Sequence, residues 1–198
     1  MMLAPCLAAI GIMVMNAPVG NAVGSQCFGQ NVDGDNPGTN GPDQGLIGDP
    51  VADVWALGDE TDTTEMRDGN DRVCGESHVD GLEGQGGVDR IDGGNHGDLL
   101  FGDAQGDIIF GAGVADRVQG DGAGDELHGE DGEDNVLGVD GPDLIFGNED
   151  DDEIWDGEGG DDLHGNGGNQ DVWKRCNDLT FDAADGIEVM LGPDLDYC

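Results

Sequence analysis

The chain has 198 residues, with 45 Asp plus Glu against 6 Lys plus Arg, for a formal net charge of -39. That imbalance excludes nucleic acid and an anionic membrane surface as partners, because a phosphate backbone is repelled rather than neutralised. Gly at 39 residues and aromatics at 5% argue against the large apolar core of an ordinary globular enzyme, and such a composition folds only if its Asp and Gly are set in a pattern.

Residues 1–15 carry no charge and are mostly apolar. Ala22, Val23 and Gly24 form a small-x-small site, so a secretory signal peptide is expected over 1–24, with cleavage before Ser25. The segment lacks a basic start. It is also short of the ~20 apolar residues a spanning helix needs, which makes a membrane anchor the weaker alternative. A lipid anchor at Cys6 would have too little hydrophobic sequence before it. No membrane insertion is expected after cleavage.

Cleavage leaves Cys27, Cys74, Cys176 and Cys198. An even count in an exported chain favours disulfides. Four cysteines allow three connectivities; Cys27 with Cys74 and Cys176 with Cys198 is the pairing taken as the expectation. No CxxC spacing occurs, which argues against a zinc or redox site. Residues 25–47 are expected to cap one end, with an imperfect first repeat at 38–47.

From Asp53 onward the chain has a period of nine. Asp53, Asp62, Asp71, Asp80, Asp89, Asp98, Asp107, Asp116, Asp125, Asp134, Asp143, Asp152 and Asp161 fall in register without an insertion. Two residues after each stands an apolar side chain, from Trp55 to Leu163, with Thr64 the exception. Four residues after each, from Asp71, stands Gly75 and its equivalents through Gly147; the series breaks at Asp156, slips to Gly157 and resumes at Gly165. Asp-x-apolar-x is a short strand with one inward side chain, since side chains alternate across a strand. The Gly-rich half is a turn, where Gly takes backbone angles other residues enter at a cost. Nine residues make half a coil and eighteen complete it, with successive coils stacked ~4.8 Å apart as parallel strands.

These residues resemble a known family. GEDGEDNVL (129–137), GVDGPDLIF (138–146), GNGGNQDVW (165–173) and RDGNDRVCG (67–75) are similar to the nonapeptide GGxGxDxUx of RTX, or hemolysin-type, calcium-binding proteins. The likeness covers 48–173 and is nearer to the small secreted members than to the large toxins. It implies an all-β fold, a right-handed parallel β-roll (β-solenoid) of 18-residue coils with N- and C-terminal caps. It also implies that the turn Asp of one repeat shares a calcium ion with turn carbonyls and with the Asp two repeats on. The metal ligands so implied are Asp71, Asp80, Asp89, Asp98, Asp107, Asp116, Asp125, Asp134, Asp143, Asp152 and Asp161. Asp125, Asp134, Asp143 and Asp161 sit in the best-preserved turns.

Electrostatics point the same way. Equivalent Asp residues of adjacent coils lie ~5 Å apart, which at an effective dielectric of ~20 gives ~3 kcal/mol of repulsion per pair. The roll should therefore need a counter-cation. Carboxylate and carbonyl oxygens suit several Ca2+ ions better than Mg2+, which demands tighter octahedral geometry. Gln170 stands where the second ladder expects Asp and should end it. Turns in which His78, His96, Gln105, Val114, Ala123 or Asp150 replaces the second Gly are expected to distort. Asp131, Asp140, Glu149 and Glu158 read as solvated charge.

Other constellations are weaker. His128 and His164 fall two coils apart, ~10 Å, too far for one metal, and read as surface residues. Ser77 and His78 adjoin, but their turn offers no cleft for a triad. Phe101, Leu137, Trp155 and Trp173 should share one outer side, and Phe110 and Phe146 the other, as a contact for a cell-wall, glycan or protein partner or as a surface covered by the tail. Residues 174–198 leave the period and read as a C-terminal cap of one or two strands. The expected protein is thus a secreted, extracellular calcium binder with about seven coils over 48–173, not an enzyme. It would act as a structural or interaction module at the cell surface. A soluble calcium sink is the alternative, and a hydrolase using the roll as scaffold a more distant one.

Overall fold

Why the chain coils rather than collapses follows from how little of each repeat is apolar. One inward side chain per nine residues cannot enclose a core, but stacked copies form a continuous spine. The structure is a computed structural model that describes residues 26–28, 30–31, 41–174, 183–185 and 189–191. The expected signal segment, Cys6 and the Cys176–Cys198 pair lie outside these residues. Among the described residues there is no helix, and two parallel sheets face each other as a β-solenoid of about seven turns.

Sheet one runs from Leu46–Ile47 and Thr63–Glu65, with Asp68–Gly69 beside it, through Gly81–Gly87, Leu99–Ala104, Arg117–Gly122, Asn135–Asp140, Glu153–Glu158 and Val172–Lys174 to Val189–Leu191. Sheet two alternates with it in sequence, from Val54–Gly58 through Arg72–Glu76, Arg90–Asn95, Ile108–Gly113, Glu126–Asp131, Leu144–Glu149 and Asp162–Asn166 to Ala183–Asp185. The register aligns Leu82, Leu100, Val118, Val136 and Ile154 in sheet one. It aligns Val73, Ile91, Ile109, Leu127, Ile145 and Leu163 in sheet two. These side chains form one core cluster, each fully or almost fully buried. In the first coil Leu57 and Met66 occupy the slot that later repeats give to Gly, and both are fully buried. Ala183–Asp185 and Val189–Leu191, in the stretch expected as a C-terminal cap, pair in parallel with the two sheets and prolong them.

The period slips by one residue near its end. The backbone N–H of Asp152 reaches Asp171, nineteen residues on, rather than position 170. Asp171 is fully buried, while Gln170 is exposed and its N–H bonds to Asp151. This corrects two expectations. The second ladder does not end at Gln170, and Trp173 does not point outward: it pairs with Ile154 and packs in the core at 3% exposure.

The turns also differ from expectation. His78, His96, Gln105, Val114, Ala123 and Asp150 all hold a left-handed backbone, with φ between 70° and 123°, so these turns keep the glycine conformation without glycine. A second left-handed residue precedes each by two positions, as at Asp103, Ala112 and Asp121. The strand ladders on either side over-determine the turn and hold residues where isolated chains would not stay. Val114, β-branched, half-exposed and at φ 123°, is the most strained of these. Val114→Gly should therefore raise the thermal midpoint, by about 1 kcal/mol of stability. Calorimetry checks it, and a lower midpoint would show that the turn is not strained.

Candidate metal centre

Each periodic Asp stands just before a strand, in the corner where turn becomes sheet. There its carboxylate turns inward. All eleven expected ligands, from Asp71 to Asp161, are at most 5% exposed, as are Asp53, Asp62 and Asp171. The structure brings them together as two ladders along opposite corners. In one, the backbone N–H of Asp53 donates to Oδ1 of Asp71, and the same link joins Asp71, Asp89, Asp107, Asp125, Asp143 and Asp161 in turn, at 2.7–2.9 Å. In the other, the link runs from Asp62 through Asp80, Asp98, Asp116, Asp134 and Asp152 to Asp171, at 2.7–3.0 Å. Asp43 adds a further rung, donating to Asp62.

The second carboxylate oxygen is a different matter. Oδ2 of Asp62, Asp71, Asp80, Asp89, Asp98, Asp107, Asp116, Asp125, Asp134, Asp143 and Asp152 is buried with no hydrogen-bond partner. Burying an unpaired polar oxygen costs about 1–3 kcal/mol, more if it is charged. The glycine five residues before each Asp shows where these oxygens point. A Cβ placed on Gly75, Gly84, Gly93, Gly102 or Gly111 would lie 2.5–2.6 Å from that Oδ2. It would also lie 2.5–3.0 Å from the carbonyl oxygen of the glycine one coil on. Glycine is required here because anything larger fills the space that the two oxygens share.

This donor set is oxygen only. Among the described residues no group of three His, Cys, Asp or Glu side chains converges. A bound ion would therefore take one or two carboxylates and otherwise backbone carbonyls, which is the chemistry of a hard cation and not of zinc or copper. The residues present fit calcium in this respect. Magnesium, which holds its water in a tight octahedron, fits a carbonyl-lined corner less well.

Burial, opposed by the single backbone N–H and aided by neighbouring Asp charges, pushes these carboxyls up from 3.8. It takes Asp80, Asp107 and Asp143 to about 8. Asp116 and Asp152 rise to about 7. Asp62, Asp71, Asp89, Asp98, Asp125 and Asp134 rise to about 6, Asp89 by burial alone among the raising causes. At neutral pH the ladders can carry their full charge only if a positive charge joins them.

The outer aromatics of sheet two do not form an open platform. Phe110, His128, Phe146 and His164 stack face to face along sheet two, with centroids 4.7–4.8 Å apart and planes within 14°. Within the stack the faces cover one another, while Phe110 at its end also meets Arg90 and Phe28. His128 and His164 lie on the outer face but half-buried in the stack, separated by Phe146, with Glu126 and Asp162 each 3.2 Å from an imidazole nitrogen. Trp155 is 7% exposed, under the Lys174 ammonium at 4.3 Å. His78 is tied into its turn, its Nδ1 accepting the Glu60 N–H and its ring stacked on His96. The alternating Phe and His at eighteen-residue spacing were visible in the sequence, but the continuous stack requires knowing that no coil intervenes.

No protein-family model matches the chain, and no curated protein matches it. The architecture is a parallel β-solenoid of about 18-residue coils with regularly spaced Asp, compatible with a β-roll repeat protein. Cys27 and Cys74 form a disulfide, the pairing expected for them.

Proposed function

We propose that this is a secreted, non-enzymatic calcium-binding β-roll of the hemolysin-type nonapeptide kind that its motifs resemble, and that it folds when calcium joins its coils. Asp71 through Asp161 would hold the ions, with Asp62 and Asp171 at the ladder ends. Carbonyls of Gly93, Gly102, Gly111, Gly120 and Gly129 would complete the sites. A bound divalent ion supplies positive charge between stacked carboxylates. The chain's own part is to aim one oxygen of each Asp into the corner while the other is fixed by a backbone N–H. The observation that carries the reading is the row of buried, partnerless Oδ2 atoms facing carbonyl oxygens across glycine. Outside the cell, where calcium is abundant, the folded roll would act as a structural or interaction module at the cell surface.

Circular dichroism during calcium titration tests it. The metal-stripped chain at neutral pH should show little strand signal, gain it with calcium, and gain little with an equal concentration of magnesium. Strand signal that a chelator leaves unchanged would overturn the proposal.

A further inference from the structure

The N-terminal hairpin builds one wall of a groove on the outer face of sheet two. Gln26–Cys27 pairs antiparallel with Gln30–Asn31, and Phe28 at the bend holds φ 50°, which a bulky residue enters at a cost. The disulfide from buried Cys27 to Cys74 pins this bend against the sheet. The Phe28 ring lies 6.2 Å from Phe110, and the Arg90 guanidinium lies 4.3 Å over Phe28 and 5.2 Å from Phe110. Beside these rings is a pocket of about 420 Å³, whose lining also includes Asp92, Glu130 and Asp131. That volume is within the range of ligand sites, and an aromatic wall with a few convergent charges is their usual make-up.

The charges decide what such a groove takes. Three carboxylates face one guanidinium, which already lies against two rings. The whole chain is strongly negative, so an anion is repelled and a cation drawn in. A bare ammonium would meet the carboxylates but bury little of the apolar area of the rings. A side chain with an apolar stem and a charged head uses both.

We infer that this groove is a docking site for a basic peptide segment. A Lys or Arg stem lies along Phe28 and Phe110, and its head meets Glu130 and Asp131. The groove is made by the hairpin and the outer sheet face, not by the Asp ladders. The inference therefore goes beyond calcium binding and needs only the fold.

The test uses the full chain under conditions where circular dichroism shows strand. The probe is a fluorescein-labelled pentapeptide with two arginines flanking a leucine, followed by anisotropy at 0.15 M salt, where diffuse attraction is largely screened. Glu130→Gln with Asp131→Asn should weaken binding roughly tenfold. Phe28→Ala, outside the solenoid, should do the same with strand signal intact, and so should Cys27→Ser with Cys74→Ser. Glu65→Gln with Glu83→Gln, which removes equal charge from sheet one, should change binding less than about twofold. Equal loss from the sheet-one pair, an unchanged Phe28→Ala variant, or no binding by the unsubstituted chain would each overturn the proposal.

Discussion

Stripped of divalent metal, the chain should gain strand as pH is lowered from 8 towards 4, the reverse of ordinary acid unfolding. The buried ladder carboxyls titrate at about 6 to about 8 in the fold, against 3.8 when exposed. Between those limits the folded chain binds more protons than the unfolded one, so stability falls as pH rises. The stabilisation is fully present below about 3.8. It is lost as pH passes through 6, where Asp71, Asp98 and Asp134 ionise, and then 7 to 8, where Asp116, Asp107 and Asp143 follow. Calcium competes with protons for the same oxygens, so its apparent affinity should rise over the same interval. Strand signal from circular dichroism at pH 4.5, 6 and 8, with and without calcium, checks both slopes. Metal-free strand signal that climbs with pH would show that these carboxylates are stabilised by the fold rather than strained by it.

The ladders were legible because nine divides the coil in two, so equal residue types return to equal corners. Leu100 and Asp107 could be placed from their spacing alone. Strict counting by nine misses the slip before Asp171 because it lands on Gln170, although Asp171-Val172-Trp173 keeps the Asp-x-apolar pattern. Burial and the ladder bond distinguish them: Asp171 is fully enclosed and accepts the Asp152 N–H, and Gln170 does neither. Trp173 turns inward with it, since a one-residue shift moves a side chain to the opposite face of its strand. The turns are not legible for another reason. Composition marks where left-handed angles are free, at Gly132 or Gly141, but not where stacking imposes them on Val114 or Gln105. The disulfide from Cys27 to Cys74 was within reach only as one of three pairings. What the sequence could not suggest is its consequence: it brings Phe28 to Arg90 and Phe110 from outside the repeat.

Replacing the three most strongly shifted carboxyls by amides should free the fold from its ion. In Asp80, Asp107 and Asp143, Oδ1 accepts the backbone N–H of Asp62, Asp89 and Asp125. Oδ2 faces the carbonyl of Gly93, Gly120 and Asp156 respectively, across a glycine. Asparagine keeps an acceptor at the first position and puts a donor at the second. The buried anion becomes a neutral group able to bond the oxygen that had repelled it. Asp80→Asn, Asp107→Asn and Asp143→Asn together should raise metal-free stability at pH 8, each by about 1–3 kcal/mol. The calcium stoichiometry measured by titration calorimetry should fall. Asp107→Ala makes the contrast, because it removes Oδ1 as well and orphans the Asp89 N–H; it should weaken the fold with or without calcium. If the triple amide variant stays as unfolded as its parent in stripped buffer and binds as many ions, the carboxylates are not what keeps the metal-free coils apart.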